Sequence, residues 1–345
     1  MQKESYRQHT LSKKIELLGI EPFGGNSIRL TNNPSESDTG IIFTDGKEEV
    51  QLDNDYLKPS WRLSLVKTMV LSSPESKLKI RSLEHLLGTF WVYGIDNARI
   101  KVDLYPKISY RILHHFGIAL RNNLPVIYTA DLERGLCDRI EEVGTQEQAK
   151  KAYLRLKEVI DTGKLKLEPI GGEDVRIRAI TEYKVSSGEV VKDDVTISLT
   201  PKEYKSIAHA RAFLGVPMPS IVPKGLTRKT GIVHSFPTIV PKGAMRFLGN
   251  FLYLGFGLGH GANETNVFYA PRSEAEWRAE ERLKGELAYH TIIDRIGDFI
   301  ARLDLAFNAR PAGIKLTCRF AGHTDTHNFI RACQTEYRDK FYFEE

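Results

Sequence analysis

Between residues 286 and 298 the chain reads ELAYHTIIDRIGD, with His290 and Asp294 four residues apart. Helical signs and the lack of a breaker before Gly297 put both side chains on one helix face, one turn apart, and Asp298 extends the row by another turn. A neutral imidazole and a carboxylate at this spacing can grip one divalent ion, which then needs a third ligand from elsewhere. Taken alone, an HxxxD pair is ordinarily a solvated i,i+4 contact. The rest of the sequence decides between the two.

A second stretch with acid–base potential is SLEHLLGTFWV at 82–92. Its apolar residues at 83, 86, 87, 90 and 91 follow helical spacing, and Ser82 can cap the start. Gly94 stops the helix, and ARIKVDL returns as a strand, so a β–helix–β unit carries Glu84 and His85 on its first helical turn. Upstream, residues 8–50 alternate β-branched segments with Gly, Pro, Asn and Asp turns, and SLVKTMVL at 64–71 and residues 78–80 read as further strands. Residues 106–163 are mostly helical in pattern, with Gly163 as the stop. Composition shifts at 168–174 (EPIGGED), the best candidate for a domain boundary.

Strands resume with VRIRAITEYKV and VTISLT, and Thr200, Pro201 and Glu203 open a helix as cap, first residue and third residue. In the 216–250 excursion, PSIVPKG at 219–225 recurs as PTIVPKG at 237–243, which predicts two proline-set turns. A glycine-rich GFGLGHGANETNVFYA, the HxxxD helix, the strand IKLTCRF and an Ala321-Gly322-His323 turn into a last polar stretch complete the chain. Strands, helix and strand thus occur twice. The expected fold is α+β, with two similar layered domains, 1–165 and 166–345, and the site in the cleft between them.

At 345 residues and 41% hydrophobic content the chain can bury two cores. Its net charge of +5 is dispersed, 49 basic residues among 44 acidic, with no basic run interleaved with aromatics, so nucleic acid is not an expected partner. Cys137, Cys318 and Cys333 show no CxxC spacing, which suits a reducing compartment. A polar start, MQKESYRQHTLSKK, and no run of roughly 18 apolar residues predict a cytoplasmic protein without a membrane span.

SLEHLLGTFWVYGIDNARIKVD resembles the EHLLAAL-GLGIDN segment of the zinc-dependent UDP-3-O-acyl-N-acetylglucosamine deacetylases of lipid A biosynthesis. HTIIDRIGD is similar to their HKxLDxIGD and AGH to their SGH, with weaker echoes in ISLTPKEYKSIAHARAF and GLGHGANETNVF, all in the family's order. The resemblance implies that His85, His290 and Asp294 bind zinc (Zn2+), leaving a fourth position for water. It implies Glu84 as general base, His323 as general acid or oxyanion partner, and Asp298 as the carboxylate that orients His323. The implied substrate is a UDP-linked, 3-O-acylated N-acetylglucosamine that loses its N-acetyl group.

Several substrate-facing positions depart from the pattern. The family's lysine after the ligand histidine, implicated in contacting the diphosphate, is Thr291 here, and the threonine of its ARTF is Ala212. Losing such an oxyanion donor costs about 3–4 kcal/mol of transition-state stabilisation when nothing replaces it. The early histidine of the family's GxGxHxG turn falls at Phe23, and LYPKISYRILHHFGIALR replaces the segment containing Asp-Gly-Ser. The expected substrate contacts are Phe213 and, on the excursion, Lys224 and Lys242, one of which replaces the charge absent at Thr291. Two other readings stand beside this one: a deacetylase of a different N-acetylated sugar, and a zinc-retaining binding protein of the same fold.

Overall fold

The computed structural model describes residues 6–20, 27–60, 68–105, 123–125, 130–185, 187–214, 267–269 and 273–345, and the architecture is that of these residues. It is α+β. Seven strands before Ala152 form one sheet around the long strand Ile95–Tyr105. That strand runs antiparallel to Ser27–Pro34 and parallel to Tyr6–Leu11 and Ile41–Thr44. Side chains of a strand alternate between faces, and Ala98, Ile100 and Val102 all turn inward at that period. A second, five-stranded sheet centres on Ile314–Arg319, parallel to Val175–Lys184 and antiparallel to Leu165–Pro169.

Smaller sheets complete the scaffold. Leu57–Ser60, Thr68–Leu71, Lys79–Arg81 and Asn123–Pro125 form one, Tyr153–Leu156 between Arg310–Pro311 and Phe341–Glu344 another. Ala212–Leu214 pairs in parallel with Val267–Tyr269.

The helices, numbered in chain order, are α1 (Glu84–Val92), α2 (Ala130–Val143), α3 (Pro201–Ile207), α4 (Glu274–Glu280), α5 (Glu286–Arg295), α6 (Arg302–Phe307) and α7 (His323–Gln334). A π-helical segment, Ile296–Ala301, joins α5 to α6 without a break. α1 lies on Ile95–Tyr105, α5 lies on Val175–Lys184 and Val190–Ser198, and the two helices pack on each other. Because EHLLGTFWV is apolar nearly all round, α1 is buried on every side, and it carries Glu84 and His85 inside with it.

One crossing sets the spacing of the site. A Cβ at Gly297 would stand 1.8 Å from the Glu84 carbonyl oxygen, and one at Gly88 would stand 3.4 Å from Gly297 N. Only glycine allows backbones this close. The π-helical turn that holds Gly297 therefore lies directly against the first turn of α1.

Three expectations need correction. Residues 145–163 are strands, Thr145–Lys151, Tyr153–Leu156 and Ile160–Asp161, rather than the end of a helix. Helix-favouring EQAKK is overridden by pairing with Tyr6–Leu11, and Leu154 and Leu156 are buried at the strand period of two. Second, Ser82 does not cap α1. It takes φ 59° in the turn from Lys79–Arg81, away from the extended backbone a cap needs, and the helix starts after Leu83 with no side-chain cap. Third, EPIGGED is a turn inside the second sheet: Gly171 and Gly172 adopt positive φ between Leu165–Pro169 and Val175–Lys184.

The last polar stretch forms α7. The Thr200 cap is as expected, its hydroxyl accepting from Glu203 N at 3.2 Å. No described helix is long and apolar enough to cross a membrane.

Candidate active site

α1 and α5 bring His85, His290 and Asp294 together. Their ligand atoms all lie within 4.8 Å of one another. His85 Nε2 is 3.1 Å from Asp294 Oδ1, His290 Nε2 is 3.6 Å from Asp294 Oδ2, and the imidazole rings stack at 5.2 Å. Burial lowers the His290 pKa to about 4, against the pull of Asp294, so the ring is the neutral ligand form. Burial also opposes charge on Asp294, yet His290 and the bond to His85 hold that carboxyl well below the usual range. Two imidazole nitrogens and one carboxylate suit a divalent metal with an open position. Burial pushes the thiols of Cys318 and Cys333 up to about 12, and neither belongs to the metal-capable group.

Beside this group stand Glu84, Asp298 and His323. Glu84 Oε1 accepts from Met69 N at 3.4 Å, while its Oε2 is buried with no hydrogen-bond partner among the described residues. An unpaired buried carboxylate oxygen is costly and is free to accept a proton. Burial, reinforced by Asp298 and Asp294 and opposed by His323, pushes Glu84 up to about 7.

His323 opens α7, and its Nδ1 hydrogen-bonds to Asp298 Oδ2. Its Nε2 is left 3.9 Å from Glu84 Oε1. Burial disfavours the imidazolium, but Asp298 outweighs it and raises His323 to about 9. The start of α7 is pinned as well, since Asp325 Oδ2 accepts from Gly322 N at 2.9 Å.

Asp298 sits within the π-helical turn, a backbone form that recurs at functional sites. Its carboxylate meets α7 through His323.

Sequence reasoning missed Arg295, which is buried, 3.0 Å from Asp298 Oδ2 and 3.6 Å from Asp294 Oδ2, and hydrogen-bonded to Thr326. The signal was present, a charge set among the buried residues Ile292, Ile293 and Ile296. Also missed was Arg211, which meets Glu286 through two 2.8 Å bonds and ties the start of the 212–214 strand to the first turn of α5. No local pattern marks that pair.

The Thr291 hydroxyl is committed to its own helix, donating to Leu287 O at 2.9 Å. Ala212 and Phe213 lie on the strand paired with Val267–Tyr269. Lys224, Lys242 and Phe23 lie outside the described residues, as does the whole 216–250 excursion.

Residues 8–111 match the family model for UDP-3-O-acyl N-acetylglycosamine deacetylase. A UDP-3-O-acyl-N-acetylglucosamine deacetylase of Helicobacter hepaticus is 25% identical over 300 residues, 85% of this chain and 80% of that protein. The enzyme of the same name from Aliarcobacter butzleri is 24% identical over 298 residues, covering 85% and 80%, and that from Idiomarina loihiensis 27% over 217 residues, covering 60% and 62%. The likeness spans both halves, at low identity. The family match over residues 8–111 and these low-identity relatives over most of the chain together support a divergent relative of the UDP-3-O-acyl-N-acetylglucosamine deacetylases.

Proposed function

We propose that this protein is a zinc-dependent deacetylase that hydrolyses the N-acetyl group of a UDP-linked, 3-O-acylated N-acetylglucosamine, a cytoplasmic step of lipid A biosynthesis. The observation that carries this reading is a convergence: the metal-capable group His85, His290 and Asp294 lies beside a Glu84 carboxylate oxygen with no hydrogen-bond partner among the described residues, and an imidazole paired to a carboxylate, His323.

When bound, zinc supplies a Lewis acid that polarises the amide carbonyl and acidifies a water. Glu84 accepts the proton of the attacking water through Oε2, and a carboxyl held near 7 suits that exchange at neutral pH. His323 stays protonated near neutrality, since it loses its proton only at about 9. With Nδ1–H given to Asp298, its Nε2–H is left to stabilise the oxyanion and then to protonate the departing amine. Arg295 holds the Asp298 carboxylate in place from the opposite side. The C–N bond breaks to leave acetate and a free amino sugar.

Phe213, Lys224 and Lys242 remain the proposed substrate contacts, and a lysine of the excursion supplies the diphosphate charge that Thr291 does not. Two α+β domains are proposed, divided near Ala152 rather than at 165, because the Ile160–Asp161 and Leu165–Pro169 hairpin bridges the latter position.

Acetate release from UDP-3-O-acyl-N-acetylglucosamine, its unacylated form and other N-acetylated sugars tests the reading. Release should vanish with a chelator and return with zinc. No acetate from any of these substrates rejects it.

A further inference from the structure

Four non-glycine residues among those described adopt positive φ: Asp38, Ser82, Asn308 and Phe320. Asp and Asn tolerate this conformation, and Ser82 is buried inside the packed junction of strand and α1. Phe320 is different. It is bulky, sits at φ 50°, and leaves 54% of its surface in solvent. The turn from Ile314–Arg319 into α7 requires a left-handed residue, and glycine would supply it without strain. A phenylalanine there strains the backbone, and its exposed ring gains little packing in return. A lone exposed aromatic needs no explanation, but one held in a strained conformation three residues before His323 does.

We infer that Phe320 is a specificity-determining residue, the platform on which the pyranose ring of the substrate stacks. The inference rests on the deacetylase reading and adds the residue that holds the sugar. Phe320 lies three residues before His323, within about 11 Å along the backbone. The amine that His323 protonates is bonded directly to the pyranose ring, so the ring must sit beside the His323 imidazole. A pyranose offers a flat face of C–H groups, which an aromatic face covers well. The other large exposed apolar residues among those described are Leu18, Tyr105, Val159, Ile170, Val190, Tyr342 and Phe343, and none is within ten residues of a proposed catalytic or metal-binding residue.

Calorimetric binding to the zinc-loaded Glu84→Gln protein, which stops turnover, tests this with three probes: UDP-N-acetylglucosamine, a methyl N-acetylglucosaminide, and UDP. Adding Phe320→Ala should weaken both sugar ligands by the same factor, roughly 3- to 10-fold, and leave UDP unchanged. Phe320→Trp should restore sugar binding. Phe320→Gly should lose sugar binding while raising the melting temperature, because glycine relieves the strained turn. A purely structural phenylalanine would instead lower the melting temperature in Phe320→Gly. Unchanged sugar binding in Phe320→Ala overturns the proposal. So does a loss that includes UDP, which would make Phe320 a nucleobase platform. If the parent protein binds none of the three probes, the deacetylase reading fails first and this one with it.

Discussion

Each half of the chain carries a strand, one residue of positive φ, and a helix whose first residues reach the proposed site. In the first half, Lys79–Arg81 passes through Ser82 into α1, with Glu84 and His85 at its start. In the second, Ile314–Arg319 passes through Phe320 into α7, with His323 at its start. Both turn residues anchor their amide on a neighbouring strand, Ser82 N to Met69 O at 3.0 Å and Phe320 N to Ile180 O at 3.4 Å. Their surroundings differ. α1 is buried on all sides, so packing holds the strained turn; α7 buries one face only, through Thr326, Phe329, Ile330 and Cys333, and its turn opens to solvent. The first half therefore fixes Glu84 and His85 rigidly against the π-helical turn. The second leaves an edge where a substrate can meet the protein.

The comparison breaks most completely at the metal group, which draws on both halves. His85→Ala removes the contribution of α1, and His290→Ala or Asp294→Ala that of α5. Each leaves only two ligands, so elemental analysis should find metal far below one equivalent in all three purified variants. A full equivalent in any of them would remove that residue from the ligand set.

Next in size is Glu84→Gln, which keeps the shape of α1 but removes the proposed base. Turnover should fall by about 100-fold or more while metal content stays unchanged. A fall of less than about tenfold with metal retained would move the base elsewhere.

The crossing between halves gives a third, structural contrast. A methyl at Gly297 meets the Glu84 carbonyl at 1.8 Å, whereas one at Gly88 meets its nearest atoms only at 3.4 Å. Gly297→Ala should cost about 3 kcal/mol or more in urea denaturation, and Gly88→Ala about 1 kcal/mol or less. Equal stabilities for the two variants would contradict the crossing.

The smallest effect concerns the buried turn. Ser82→Gly removes a hydroxyl that has no hydrogen-bond partner among the described residues and accepts φ 59° freely. It should stabilise the protein by about 0.5–1 kcal/mol, with Ser82→Ala showing no such gain. If Ser82→Gly destabilises, packing around the first turn depends on the serine side chain and the parallel with Phe320 fails.

Much of the site is legible in the sequence because it depends on spacing within single elements. His290 and Asp294 share a helix face by virtue of their separation, Glu84 and His85 ride the first turn of an apolar helix, and Thr200, Pro201 and Glu203 signal their own helix start. The α+β class follows in the same way from alternating and helical periods. Other features were decided only when surfaces met. EQAKKAYLRL has the composition of a helix, and only partners distant in sequence, Tyr6–Leu11 and Phe341–Glu344, turn it into strands. Spacing makes Asp298 the next step of the His290–Asp294 row, and only the approach of α7 brings His323 within hydrogen-bond reach of it. Arg211 finds Glu286, and Glu84 keeps an oxygen unpaired among the described residues, through contacts between segments far apart in the chain. Periodicity belongs to one segment and can be read along it, whereas burial, pairing and the protonation they impose depend on which segments pack together.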